Sequence, residues 1–221
     1  MQIGHTRLDT HVPSFMRPAG GPAGSQAVLG WELTAAAVAV VIIISVILIL
    51  ALAKHRPPAE TDESGHGGAR WKVKSGVNWI YTGLAITVAV LIVSFGLTVA
   101  TIDASTHAPT TPPITLNITA HQWWWEVNVA DSVPSHSFTT ANEIHIPVGV
   151  PVLLRVRSAD VIHSFWVPEL GGKIDVIPGQ TNESWIRADR AGVYRGQCAE
   201  YCGLQHAHMA LTVVAQPPAE Y

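Results

Sequence analysis

The pattern of hydrophobic residues divides the chain into an apolar N-terminal half and a C-terminal half of short alternating runs. Residues 33–53 carry no charged side chain, and residues 79–101 form a second run of the same kind. At 1.5 Å of rise per residue, each run makes a helix of about 32 to 35 Å, enough to cross the hydrocarbon core of a bilayer. We therefore predict a transmembrane hairpin over residues 31–103, with a polar loop at residues 54–78.

The distribution of basic residues predicts how this hairpin is oriented. The predicted loop carries Lys54, Arg56, Arg70, Lys72 and Lys74, whereas residues 102–122 contain no Lys or Arg. Because basic residues concentrate in cytoplasmic loops, the pattern places both termini on the periplasmic side of a bacterial inner membrane. Residues 1–30 contain Gly and Pro without a sustained period, and we predict an extracytoplasmic extension there without regular structure.

Beyond residue 114 the period shortens to that of β-strands. Runs of β-branched and aromatic residues are separated by turn residues such as Pro147, Gly149, Pro178 and Gly179. The predicted strands are residues 114–120, 124–129, 143–147, 152–158, 163–167, 181–187, 192–197 and 211–215. Many short strands in about a hundred residues predict an all-β Greek-key sandwich or barrel over residues 104–221.

Composition excludes two classes of function. Charged residues make up 13% of the chain, hydrophobic residues 48%, and the formal net charge is −3. Such a chain offers no basic surface for nucleic acid and is too apolar to be disordered. We therefore expect a membrane-bound protein with no nucleic-acid partner.

The candidate chemistry lies in one loop near the C-terminus. Cys198 and Cys202 are the two cysteines of the chain, and His206 and Met209 follow them. Thiolate, imidazole and thioether form a soft ligand set that suits copper, although two cysteines alone also fit a structural disulfide. His163 is the upstream candidate ligand. One cysteine would fit a mononuclear copper site, whereas two at this spacing favour thiolates that bridge two coppers.

These residues carry a resemblance to a known family. Gln-Cys-x-Glu-x-Cys-Gly-x-x-His-x-x-Met, with Asp-Val-x-His-Ser-aromatic upstream, resembles the dinuclear CuA signature of cytochrome c oxidase subunit II. The resemblance implies a cupredoxin-like domain in which two cysteine thiolates bridge the coppers. The implied ligands are Cys198 and Cys202 to both ions, His163 and Met209 to one ion, and His206 and the Glu200 carbonyl to the other. The Glu200 carboxylate would ligate a magnesium or manganese ion shared with subunit I.

A run of tryptophans follows the first predicted strand and continues into the second. Trp123, Trp124 and Trp125 follow His121 and Gln122, and composition alone favours interfacial anchoring or core packing for such a run. The stretch resembles the family's His-Gln-Trp-Tyr-Trp motif, in which the first tryptophan receives the electron from the donor. The resemblance therefore gives Trp123 that role and puts Trp124 in the place of the usual tyrosine. The family's acidic patch is thin here, since only Glu126 and Asp131 follow closely.

The resemblance implies subunit II of a cytochrome c oxidase. Such a subunit accepts electrons from cytochrome c, or another small extracytoplasmic donor, and passes them to haem in subunit I. There oxygen is reduced and protons are translocated, with subunit III as a further partner. Two alternatives stay open on the sequence: the CuA subunit of a related nitric oxide reductase, and a membrane-tethered copper-binding module.

Overall fold

The computed structural model describes residues 14–54, 73–129 and 137–221. Two compact units make up the chain. One is Leu29–Val99, and the other combines the residues up to Val28 with Ala100–Tyr221. Most of the predicted cytoplasmic loop lies outside the described residues, as do residues 1–13 and Asp131.

Two long helices contain the predicted spans. Helix α1 is Gly21–Ala53 and helix α2 is Val73–Thr106. Both are long and apolar enough to cross a membrane. Their threonine hydroxyls donate to backbone oxygens one turn earlier, for example Thr34 to Gly30 at 2.7 Å. In hydrocarbon such bonds satisfy side chains that have no water to contact.

The N-terminal prediction needs a correction, because α1 begins at Gly21 rather than after residue 30. The Ala19 N–H donates to the Glu169 carbonyl at 2.8 Å, and the Asp189 N–H donates to the Ala19 carbonyl at 2.7 Å. A β-carbon at Gly20 would lie 2.2 Å from the backbone oxygen of Arg187, so glycine permits the close approach of this segment to the β domain. The segment is ordered by tertiary contacts with the β domain, which no local sequence pattern reveals.

The C-terminal domain is a sandwich of two five-stranded sheets. Its strands are β1 Ile114–His121, β2 Trp124–Val129, β3 Phe138–Ala141, β4 Glu143–Pro147, β5 Val152–Ser158, β6 His163–Trp166, β7 Ile174–Val176, β8 Asn182–Ile186, β9 Gly192–Cys198 and β10 Ala210–Gln216. The first sheet has the order β3-β2-β1-β5-β8 and the second β4-β10-β9-β6-β7. Strands β1 and β5 are parallel, as are β4 and β10, and the other pairs are antiparallel.

The core lies between the two sheets. Alternate residues of β1, including Leu116 and Ile118, are buried, as the period of a half-buried strand requires. Trp125 of the first sheet meets Phe165 of the second edge to face, with ring centroids 5.4 Å apart. The same indole lies 6.1 Å from the His163 ring, so the packed core extends to the candidate ligands.

All eight predicted strands are present, with bounds that shift by at most a residue at each end. Two short strands, β3 and β7, were not predicted. β7 has only three residues, Ile174–Val176, and lies between Gly172 and Pro178, so it carries too few alternations to show a period. The structure also has a short 3-10 helix, His206–His208, inside the candidate ligand loop.

The contacts of one surface histidine predict that the stability of the fold depends on pH. His145 on β4 contacts Gln216 Oε1 and Glu143 Oε1, each at 2.9 Å. Burial acts to lower its pKa, but these two hydrogen bonds outweigh burial and raise the pKa above its usual value. The charged ring therefore stabilises the fold below about pH 6.5, and this contribution is lost as the pH rises through the folded-state pKa.

We expect His145→Gln to lower the melting temperature of the detergent-solubilised chain at about pH 5.5 and to change it less at about pH 9. The expected loss of unfolding free energy is below about 1 kcal/mol, because His145 and Glu143 are both solvent-exposed. Thermal unfolding followed by circular dichroism measures the difference. A loss of equal size at both pH values would contradict the ionic contribution.

Candidate metal centre

Strand pairing in the second sheet brings the candidate ligands to one end of the sandwich. His163 begins β6, Cys198 ends β9, and Met209 immediately precedes β10. Because β9 runs antiparallel to both neighbours, the start of β6, the end of β9 and the start of β10 meet. The Cys198 N–H donates to the Met209 carbonyl at 2.9 Å, which closes the loop between them.

The two cysteines face each other as free thiols. Their sulfur atoms lie 3.8 Å apart, well beyond the bond length of about 2.05 Å in a disulfide. Both side chains are buried. The arrangement therefore suits two thiolates that share a metal site, and it disfavours the structural disulfide.

Each sulfur has an imidazole nitrogen beside it. The Sγ of Cys198 is 3.9 Å from Nδ1 of His163, and the Sγ of Cys202 is 3.6 Å from Nδ1 of His206. His163 is fully buried and His206 half-buried. Nδ1 is thus the nitrogen that each histidine presents to the thiols.

Two further donors complete the cluster. The backbone carbonyl of Glu200 lies 3.2 Å from the Cys198 sulfur, and the Sδ of Met209 lies 3.8 Å from the Cys202 sulfur. The Glu200 residue is exposed, in contrast to this buried set. His208 is exposed as well, and its Nδ1 lies 2.7 Å from Gln205 Oε1.

The donor set fits a soft metal. Bonds to a first-row metal are about 2.3 Å from a thiolate and about 2.0 Å from an imidazole. An ion can therefore join sulfurs up to about 4.6 Å apart, or a sulfur and a nitrogen up to about 4.3 Å apart. The separations of 3.6–3.9 Å among the thiols and histidines meet these limits.

The protonation state of the buried Cys202 thiol bears on which metal can bind. Burial and the neighbouring Cys198 thiol raise the pKa of Cys202 to about 12. At neutral pH this thiol keeps its proton until a metal displaces it, so metal binding must release protons. A thiophilic metal makes that exchange, whereas magnesium or calcium prefers carboxylate oxygens.

The structure places the three tryptophans in three different environments. Trp123 is half-buried, and its Nε1 donates to the Cys202 carbonyl at 3.2 Å. Trp124 is partly exposed and stacks on His121, with ring centroids 4.5 Å apart. Trp125 is fully buried in the core. Of the three, only Trp123 has a hydrogen bond to the ligand loop among the contacts of the described residues.

Glycine at position 203 allows this contact. Gly203 has φ +121°, a conformation that side chains disfavour, and a β-carbon there would lie 3.2 Å from Nε1 of Trp123. Gln122 also donates, through Nε2, to the Cys202 carbonyl at 2.7 Å. Sequence reasoning assigned no role to Gln122 or Gly203, although both belong to the motifs that it used.

Asp160 is a third residue to which the sequence motifs assigned no role. Its Oδ1 accepts from Nε2 of His163 at 2.8 Å, and its Oδ2 accepts from the Gln122 N–H at 2.7 Å. Burial opposes its ionisation, but the hydrogen bonds from His163, Val161 and Gln122 lower its pKa. The carboxylate therefore fixes the ring of His163 and leaves Nδ1 free to bind metal.

We expect Asp160→Asn to weaken copper binding by about 10- to 100-fold, the usual loss when a ligand's hydrogen-bond partner is removed. Copper retention during dialysis against a graded chelator measures the affinity. Glu183→Gln serves as the control, because Glu183 pairs with Arg155 on the other sheet. Equal copper retention by both variants would show that Asp160 does not support His163.

Comparison with known proteins gives one family. A family model for the periplasmic domain of cytochrome c oxidase subunit II matches residues 114–216. Cytochrome c oxidase subunit 2 of Alkalihalophilus pseudofirmus is 44% identical over 106 residues, 48% of this chain and 30% of that protein. Probable cytochrome c oxidase subunit 2 of Rickettsia conorii is 34% identical over 146 residues, 58% of this chain and 46% of that protein.

Among solved structures, the periplasmic domain of subunit II of cytochrome oxidase from Bradyrhizobium japonicum is 32% identical. The match covers 51% of this chain and 91% of that chain, with a TM-score of 0.47. This chain spans less than half the length of the two curated relatives described above.

The β-sandwich and the cluster at its end define a cupredoxin-like metal domain attached to two apolar helices that anchor it in a membrane. The matched family model spans this domain from β1 to the end of β10. Through it, residues 114–216 of the chain belong to the cytochrome c oxidase subunit II family. The family and the His163, Cys198 and Cys202 cluster together indicate a copper centre.

Proposed function

We propose that this chain is the electron-accepting subunit II of a cytochrome c oxidase, with a dinuclear CuA centre. Electrons from a cytochrome c-type donor reach the copper centre and pass to haem in subunit I, where oxygen is reduced and protons are translocated. The observation that carries the proposal is the buried pair of free thiols 3.8 Å apart, each with an imidazole Nδ1 within 4 Å.

The ligand assignment follows the cluster. Cys198 and Cys202 would bridge the two ions, because each sulfur faces the other and no third thiol is present in the sequence. His163 and Met209 would bind one ion, and His206 and the Glu200 carbonyl the other. The bound pair would supply one-electron chemistry, since an electron shared by two ions demands little change at the ligands.

The protein's contribution is a largely buried ligand frame that the β-sandwich holds in place. Cys198, Cys202, His163 and Met209 are all buried. Strands β6, β9 and β10 hold the backbone at or next to His163, Cys198 and Met209, and the Cys202 carbonyl accepts hydrogen bonds from Gln122 and Trp123. Asp160 holds one imidazole through a charge-assisted bond. Such preorganisation leaves few groups to move when the charge of the site changes.

The two helices would anchor the chain in the membrane, and the charges between them indicate on which side the β domain lies. The excess of Lys and Arg between the spans supports a cytoplasmic loop and a periplasmic domain, in a bacterial inner membrane. Subunit I and subunit III would pack against this chain. The exposed Glu200 carboxylate would be available to a magnesium or manganese ion shared with subunit I.

Copper stoichiometry with an electron paramagnetic resonance spectrum of the full-length chain tests the proposal. We expect two coppers per chain and one unpaired electron shared between them. One copper per chain, or bound zinc instead, would overturn the dinuclear assignment. Oxygen and nitric oxide consumption by the purified complex then separates an oxidase from a related nitric oxide reductase.

A further inference from the structure

We propose that His208 is a capture site for copper ions on their way into the buried metal centre. Its exposed imidazole takes copper(I) from a soluble complex and passes the ion to the thiols of Cys198 and Cys202. The ion at His208 is cargo and is not part of the finished centre. This inference rests on the proposed function, because it names the residue through which that copper centre is filled.

Burial of the ligands makes entry of the metal a separate problem. Four of the five side-chain ligands belong to residues that are at most 5% exposed, namely His163, Cys198, Cys202 and Met209. The fifth, His206, is half-buried and begins the short 3-10 helix His206–His208. Among the side-chain ligands, the one nearest to solvent therefore lies on this helix.

His208 lies at the other end of the same helix. It is exposed, and its neighbour in the chain is the buried ligand Met209. The His208 N–H donates to the Gln205 carbonyl at 2.9 Å, and the Met209 N–H donates to the His206 carbonyl at 3.3 Å. Exposed side chains change rotamer on the picosecond-to-nanosecond scale, so the imidazole can move an ion toward the cluster while the backbone stays in place.

The side-chain contact of His208 prepares its imidazole for a metal ion. Nδ1 lies 2.7 Å from Gln205 Oε1. Because an amide oxygen only accepts hydrogen bonds, Nδ1 carries the proton, and Nε2 of the neutral ring keeps a free lone pair. Metal-binding histidines almost always have this arrangement, in which one ring nitrogen donates to an oxygen and the other binds the metal.

The other exposed histidines among the described residues do not offer such a nitrogen beside the cluster. His145 has both ring nitrogens engaged by side-chain oxygens. His107 has the same kind of Nδ1 contact as His208, to Asp103 Oδ1 at 3.1 Å, but it directly follows α2 and lies outside the ligand loop. His208 therefore combines exposure, a free Nε2 and a place in the ligand loop.

The transfer is a ligand exchange without a change of oxidation state. The bond between copper(I) and Nε2 of His208 breaks, a bond between copper(I) and a cysteine sulfur forms, and the thiol proton leaves to solvent. Thiolates are softer ligands than imidazole and hold copper(I) more tightly, so the exchange runs inward. His208 is then free to take a second ion, as a centre of two coppers requires.

Copper loading of the copper-free full-length chain in detergent tests the proposal. The probe is copper(I) held by a coloured chelator under anaerobic conditions, and the loss of chelate absorbance gives the rate of uptake. We expect His208→Asn to take up copper about tenfold more slowly, because a captured ion has a high effective concentration beside the thiols.

His107→Asn is the matched control, because His107 is also exposed and also has its Nδ1 beside a side-chain oxygen. This variant should take up copper at the rate of the unmodified chain. Equal slowing by His107→Asn and His208→Asn would mean that any surface imidazole collects copper, and it would overturn the specific role of His208.

Equilibrium binding separates capture from a structural role. A capture residue speeds entry and release alike, so His208→Asn should keep the copper affinity and the two coppers per chain while excess chelator extracts the metal more slowly. Gln205→Ala should slow uptake by about twofold, since the proton is then shared between the two ring nitrogens. Weaker or incomplete copper binding by His208→Asn would make His208 part of the centre and would overturn capture.

The final copper content distinguishes failure of this inference from failure of the proposed function. Two coppers per chain, taken up equally fast by His208→Asn and the unmodified chain, would refute capture and leave the proposed function standing. An unmodified chain that binds no copper pair would overturn the proposed function itself.

Discussion

Replacement of Cys202 by serine should abolish the dinuclear centre. The Cys202 sulfur lies within 4 Å of Cys198 Sγ, His206 Nδ1 and Met209 Sδ, so it touches three of the other candidate ligands. A serine hydroxyl is a hard and protonated donor that cannot bridge two coppers. We expect electron uptake from a reduced donor to fall by more than about a hundredfold, beyond the usual loss for a ligand's supporting partner.

Copper content and the resonance spectrum of the full-length Cys202→Ser variant measure this result. Met209→Leu is the matched control, because leucine keeps the volume of a buried side chain while it removes the thioether. This control should retain two coppers and shift the reduction potential, since a weak sulfur ligand tunes the potential of copper sites. A serine variant that still shared one electron between two coppers would contradict the bridging role.

Replacement of Trp123 by phenylalanine should slow electron acceptance without removing copper. The phenyl ring keeps an aromatic face but loses the Nε1–H that donates to the Cys202 carbonyl. A donor or acceptor group displaced by about 1 Å can lower a rate by about a hundredfold, and we expect an effect approaching this size. Stopped-flow oxidation of a reduced donor, at constant copper loading, measures it.

Trp185→Phe is the control for the loss of an indole. Trp185 is buried on β8, and its Nε1 has no hydrogen-bond partner among the described residues, so removal of that N–H breaks no bond. Its variant should keep the rate of the unmodified chain. If Trp123→Phe and Trp185→Phe accepted electrons equally fast, Trp123 would not be the residue that receives the electron.

Much of the fold follows from periodicity. The two charge-free runs predicted helices, and alternation predicted eight of the strands, because burial of one sheet face imposes a period of two. The start of α1 was missed because the segment just before it is held in place by hydrogen bonds of Ala19 to Glu169 and Asp189. Both partners lie far away in the sequence. The short strand β7 was missed because three residues cannot show a period.

The candidate site was predictable to the extent that residue types alone indicate metal-binding chemistry. Cysteine, histidine and methionine at fixed spacing indicated a soft metal, and the structure brings Cys198, Cys202, His163, His206 and Met209 together. The supporting residues were harder to predict. Asp160 and Gln122 act through bonds that cross between loops, and a sequence gives no sign of which loops will meet.

The closure of the ligand loop by the β9–β10 pair has a consequence for how this region tolerates insertions and deletions. Gln197 pairs with Ala210, and the Cys198 N–H bonds to the Met209 carbonyl, so both ends of the loop are held at one rung of the ladder. One added residue would leave that rung in place and displace a thiol or imidazole within the loop. A single-residue slip of β10 would instead turn its buried side chains outward. The number of residues between Cys198 and Met209 is therefore as constrained as their identities.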